Sequence, residues 1–288
     1  MKTALLLFFS LMTAPDFTWA SQHAPLSISR EACRCDSKVA DPFEGPVAFG
    51  SGVNAGKCVD SCRFRRPRII SEARGFTVAN VMHHGKAMIA EIDPSGAYQL
   101  DLIMEEFLPA ISHVAFRVRF APSSPIRLRS QMNPDSPSFE ESHDLVISVE
   151  AALPVQEKFT FNNARSGAFI LNYRLITIEE ARRWMVDVQK HSVRQFQLAV
   201  PHEALPKLVE LAVRQGQDRS FEEKYFLFTS NCSSQAFEML DLATGAQSPS
   251  GLAWLERAWP VAGLYGTLHY LQSRGLIQRE LPALGQEN

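Results

Sequence analysis

Between Ile69 and Ile176 the chain is written largely in period two. The clearest stretch is "HVAFRVRF", in which Val114, Phe116, Val118 and Phe120 alternate with Ala115, Arg117 and Arg119. Successive side chains of a strand point to opposite faces, so this pattern demands a sheet with one face against a core. "DLVISVEAALPV" and "AFILNYRLI" read as two more strands, and "GFTVANVMHHGKAMIAEID" as a hairpin turning near His84-Gly85. "AYQLDLIMEEFL" has apolar residues at both spacings, which leaves strand and helix open. "QMNPDSPSFEES" reads as a polar loop punctuated by proline.

After Ile176 the period lengthens to that of a helix. Thr177-Ile178-Glu179-Glu180 fits a capping box opening a helix through about Lys190. "PHEALPKLVELAVRQG" predicts a helix closed by Gly216, with Leu205, Leu208, Val209, Ala212 and Val213 on one face. "YFLFTSNCSSQAFEML" passes from an apolar run into a helix, and the tail "WLERAWPVAGLYGTLHYLQSRGL" holds one or two short ones. Strands in the middle and helices after them make the class α+β.

The first twenty residues stand apart. Lys2 precedes an apolar run from Ala4 to Leu11 that is too short to span a bilayer, and Pro15 and Asp16 interrupt it. Thr18 and Ala20 put small residues at the −3 and −1 positions of a cleavage site before Ser21. Residues 1–20 therefore read as a secretory signal peptide, and no later run is long and apolar enough to span. The exported chain is expected to be soluble.

Export gives the cysteines meaning. Of five, Cys33, Cys35, Cys58 and Cys62 lie close together and Cys232 stands alone. Outside the cytoplasm neighbouring thiols oxidise, and a Cys33–Cys35 bridge would be strained. Two disulfides joining the CRC pair to the CVDSC pair are expected, with the connectivity open. A four-thiolate zinc site is the rival, but the spacing fits zinc ribbons poorly. Residues 21–66, rich in Pro, Gly, Ser and Cys, read as a stapled, loop-rich cap, and residues 67–288 as the main domain.

Charge excludes some partners. Lys and Arg total 29 against 31 Asp and Glu, a net charge of −2, so no strong pull toward nucleic acid is expected. The basic cluster "RFRRPR" (Arg63 to Arg68) reads as a solvated strand edge rather than a phosphate or headgroup site. No glycine-rich nucleotide loop appears, and no metal or organic cofactor is expected.

Cys232 carries the chemistry. Ser230 and Asn231 are both good N-cap residues, and Ala236, Phe237, Leu240 and Ala243 follow at helical spacing. A cysteine in the first helical turn meets free amides and the positive end of the helix dipole, which favour thiolate. A buried structural cysteine is the plain alternative, so a base is needed. Of eight histidines, His113 is the one entering a core strand, where a rigid element can aim it.

This order of pieces resembles circularly permuted papain-like proteins related to the NlpC group, in which the histidine precedes the cysteine. More narrowly, residues about 105–278 resemble the Lnb N-terminal periplasmic domain family, through "SHVAFRVRF", "ISVEAALPV", "NYRLITIEEARRW", "YFLFTSNCSSQAFEML" and "LYGTLHYLQSRGLI". The resemblance implies a permuted papain-like fold, a central antiparallel sheet with helices packed on one side, in a bacterial periplasm or cell envelope. It implies Cys232 as nucleophile and His113 as general base. A third polar group should orient the imidazole; Glu150 is the choice, with Ser148 of the same strand parity and His143 nearby. Asn231 and Tyr225 are supporting candidates, equally explained as cap and core.

Three functions follow from this. The first is a peptidase or amidase on envelope peptides such as peptidoglycan stems. The second is an acyltransferase on lipids or lipoproteins, for which Trp254, Trp259, Tyr265 and Tyr270 could line a greasy groove. The third is a non-catalytic envelope module in which Cys232 and His113 are core residues.

Overall fold

A computed structural model describes residues 43, 47–108, 111–246 and 263–286. The expected signal peptide, Cys33 and Cys35 lie outside the described residues. So do Trp254, Trp259 and the side chain of Tyr265.

The period-two region forms strands. β1 (Arg68–Ser71) precedes a hairpin of β2 (Phe76–His83) and β3 (Lys86–Ile92). His84 and Gly85 both take positive φ, 46° and 77°, as a two-residue turn between paired His83 and Lys86 requires. The ambiguous stretch is a strand, β4 (Ala97–Leu108), and pairs along its length with β5 (Ile111–Phe120). β6 (Ile126–Ser130), β7 (Glu140–Ser142), β8 (Asp144–Ala152), the short helix α1 (Phe161–Arg165) and β9 (Phe169–Thr177) follow.

The second half holds α2 (Ile178–Ala181), β10 (Ser192–Leu198), α3 (Ala204–Arg219), β11 (Lys224–Tyr225), α4 (Cys232–Thr244), α5 (Gly263–Ser273) and β12 (Ile277–Leu281). The sheet runs β12-β10-β4-β5-β8-β9-β2-β3-β6-β7, with β1 on β2 and β11 on β9. It is mixed rather than purely antiparallel, because β2 meets β9 in parallel at Met82 and Ile176.

Both sheet faces are covered, where cover on one side was expected. Val114, Phe116, Val118, Ile147, Val149, Leu171 and Tyr173 form the larger core, with α3 and α4 laid over it. Ile103, Ala115, Val146 and Ile176 face the other way, against Ile178, Ala181 and Met185. The helix expected through Lys190 is α-helical only to Ala181. It widens into a π-helical segment, Arg182–Val188, which packs Trp184 against this second face.

Two other expectations change. α3 does not close at Gly216 but runs through it to Arg219. A Cβ at Gly216 would lie 2.8 Å from Pro67 Cγ, so the glycine provides clearance for the incoming chain. The basic cluster is not a solvated edge. Arg63 lies over the Phe64 and Trp184 rings at 5.0 and 4.9 Å, and Arg66 pairs with Glu222 at 2.9 Å.

The described part of the cap is irregular, with bridges Ala48–Cys58 and Val59–Pro154. Its Phe49, Val59 and Phe64 are buried in the larger core. Cys58 and Cys62 are disulfide-bonded, while Cys232 is a free thiol. The pairing with Cys33 and Cys35 lies outside the described residues. No described helix is long and apolar enough to cross a membrane.

Candidate active site

Cys232 begins α4 because Asn231 stops the preceding chain and caps the helix. The Asn231 side chain accepts from the N–H groups of Ser233 and Ser234, each at 3.0 Å, and Ser234 Oγ accepts from the Asn231 N–H at 2.9 Å. This reciprocal capping box explains the fully buried Asn231. It also decides which amides stay available. Ser233 and Ser234 are taken, and the Gln235 N–H goes to the Asn231 carbonyl. Among the described residues nothing accepts from the Cys232 N–H, the remaining first-turn amide, and an N–H at the start of a helix is a ready oxyanion donor.

His113 reaches the sulfur from the other face of the sheet. It shares parity with Ala115, whereas α4 lies over the face of Val114 and Phe116. The two meet where the sheet opens. The β5–β8 ladder stops at Ala115 and Ser148, while β8 continues along β9 to Ala152. In that gap the His113 ring and the Val114 backbone N–H come near enough to act on Cys232 Sγ, and Ser233 Oγ lies 3.9 Å from it.

Each group alters the other's titration. Burial pushes the Cys232 thiol up, but its bond to and charge attraction with His113 outweigh burial and hold it below its ordinary value. Burial opposes the charged His113 ring as well. The sulfur, reinforced by Glu150 and Glu105, raises it to about 9. Both shifts run toward the charged forms, thiolate and imidazolium.

A relay fixes the ring. Ser148 Oγ sits 2.8 Å from His113 Nε2 and donates its own proton to Glu150 Oε1 at 3.0 Å. That hydroxyl has one proton, so Ser148 must accept from Nε2–H, leaving Nδ1 for sulfur. Arg174 Nη1 donates to both Glu150 oxygens, at 2.8 and 2.9 Å. Glu150 is held below its ordinary value: burial opposes the charge, but Arg174, His113 and Arg63 more than compensate.

The residues expected from the sequence are thus brought together with one rearrangement. Ser148 touches the imidazole directly, and Glu150 acts through it. His143 lies at the far end of β5, where its carbonyl accepts from the Phe120 N–H. Tyr225 is buried, and burial, then the charge of Cys232, raise its hydroxyl well above the ordinary range. Tyr270 belongs to the core, its ring 5.1 Å from Phe237. Arg174 was not anticipated, although an arginine inside the apolar strand "NYRLI" signals a buried carboxylate partner.

The described chain is a strand-rich α+β protein with a cysteine–histidine pair at the start of a helix. Residues 86–260 match the model of the Lnb N-terminal periplasmic domain, and the chain belongs to that family. No curated protein and no solved structure matches it.

Proposed function

We propose that this chain is an exported cysteine hydrolase, a peptidase or amidase of the cell envelope, with Cys232 as nucleophile and His113 as base and acid. The observation that carries the reading is the coupled Cys232–His113 pair, its imidazole held by Ser148 and its thiolate at a helix N-terminus. A core cysteine needs none of this. The family's periplasmic description and the signal-like first twenty residues support the location. The order of histidine before cysteine supports a permuted papain-like relationship. The oxidised Cys58 and Cys62 support a disulfide-stapled cap.

The thiolate attacks a carbonyl carbon, forming a C–S bond and an oxyanion that accepts from the Cys232 N–H. The oxyanion collapses, the C–N bond breaks, and imidazolium protonates the departing amine. Neutral His113 then takes a proton from water as its oxygen attacks the thioester. The carbon–sulfur bond breaks, the carboxylic acid leaves and gives its remaining proton to solvent, and the thiolate–imidazolium pair returns. An acceptor amine or hydroxyl in place of water would make the same site an acyltransferase.

The test is the rate of Cys232 alkylation by iodoacetamide against pH, with His113→Ala alongside and the protein kept oxidised. Labelling well below the ordinary thiol pKa of about 8.5, slowed in the variant, is the expected result. Labelling only on unfolding would sink the enzymatic reading.

A further inference from the structure

Arg63 is a cation on this face that the mechanism leaves unused. It enters from the cap, outside the residues that match the family. A backbone contact ties its segment to the sheet beside the site. The Arg65 carbonyl accepts from Asn172 Nδ2 at 3.1 Å, and Asn172 is the cross-strand partner of Glu150. The guanidinium lies over the Trp184 ring on the same face of the sheet as Ala115, two residues from His113.

Arg63 is held by rings rather than hydrogen bonds. Its buried Nε has no partner, and its guanidinium makes no ion pair among the described residues. The neighbouring carboxylates are already occupied. Glu150 is gripped by Arg174, Glu105 accepts from His191 Nδ1 at 2.6 Å, and Asp60 accepts from the Cys62 N–H at 3.2 Å. They offset the positive charge around Arg63 without closing on it. Ring stacking fixes a guanidinium's plane while leaving its in-plane donors to form a forked pair with a carboxylate.

We propose that Arg63 is the specificity-determining residue of this site, binding a free carboxylate on the substrate so that the adjacent carbonyl falls over Cys232. The substrate class is then an acidic peptide or amide, bearing a side-chain or terminal carboxylate near the bond attacked. This inference rests on the Cys232–His113 reading. It adds that the cap selects what the family domain cleaves.

The experiment uses the full oxidised chain and two reagents of nearly equal size, iodoacetate and iodoacetamide. The readout is the ratio of their alkylation rates at Cys232 in wild type, Arg63→Lys and Arg63→Met. Charge-assisted recognition predicts that Arg63→Met lowers the iodoacetate preference about tenfold and that Arg63→Lys keeps part of it. A structural role would change both rates together and leave the ratio alone, which would overturn the proposal. Succinate should slow iodoacetamide labelling of wild type while succinamide does not, a readout that needs no variant. Protection by inorganic phosphate but not succinate would overturn the carboxylate assignment. If neither reagent labels folded wild type, the cysteine–histidine reading itself fails.

Discussion

Ser148 controls more than its size suggests. Its hydroxyl accepts from His113 and donates to Glu150, so it sets the tautomer and passes the carboxylate's charge to the ring. Ser148→Ala cuts the relay while leaving the Glu150–Arg174 pair intact. The imidazolium loses a hydrogen bond and becomes more acidic, and the thiolate it supports becomes rarer. Iodoacetamide labelling at neutral pH should fall about tenfold, with its onset moved to higher pH. In wild type, turnover needs thiolate and imidazolium together. Its acid limb should lie below the ordinary thiol range and its alkaline limb near about 9, where His113 deprotonates. Alkylation needs only thiolate and should show no alkaline fall. A variant profile identical to wild type would mean that the serine is a spectator.

At the scale of elements, α3 shows why a local rule can mislead. Glycine near the end of an apolar-periodic helix usually marks its stop. Here it marks a crossing. Pro67 rests against the helix at Gly216, and the chain continues into β1 over Gln217, whose Oε1 accepts from the Ile69 N–H at 2.9 Å. Helix propensity predicts that Gly216→Ala would stabilise by about 1 kcal/mol. The rigid proline ring gives a collision that propensity ignores, and overpacking costs about 1–3 kcal/mol. Thermal unfolding of Gly216→Ala should therefore come at a lower temperature than wild type, and a rise would contradict the crossing. The π-helical segment after α2 belongs to the same lesson. Only the N-cap half of its predicted capping box forms, with Thr177 Oγ1 accepting from the Glu180 N–H at 3.4 Å, while the Glu180 carboxylate accepts from the Gly85 N–H and from Arg183 instead of returning to the cap. The widened turns behind it depend on the packing of Trp184 and Met185 against the sheet.

Across the whole molecule, the cap and the family domain share one core. Phe49, Val59 and Phe64 are buried with residues of β5, β8 and β9, and Arg63 follows Cys62 directly. Reducing the chain should lower its melting temperature, since a native bridge in a cap contributes about 2–4 kcal/mol. It should also weaken the iodoacetate preference, because Arg63 loses its anchor. Thermal melts with and without reductant, alongside the alkylation ratio, test both. An unchanged ratio after reduction would show that core packing alone holds the segment.

Much of the site was readable in the chain because its parts obey local rules. Alternation placed His113 at the head of β5 and gave Ser148 and Glu150 one parity. Asn231 before Cys232 announced a capped helix with a cysteine in its first turn. The one cysteine set apart from the other four, in a chain expected to be exported, drew attention to it. Such signals depend on φ/ψ, side-chain period and capping, which act over a few residues. What only the tertiary structure decided is which faces meet. It opened β5 from β8 so that a helix on one side and a histidine on the other reach a single gap. It placed Ser148 ahead of Glu150 and supplied Arg174 across the strand. It turned a basic cluster that looked solvated into a cation stacked over the Phe64 and Trp184 rings. These contacts join residues tens to more than a hundred positions apart, and no local period encodes the register and crossing geometry that create them.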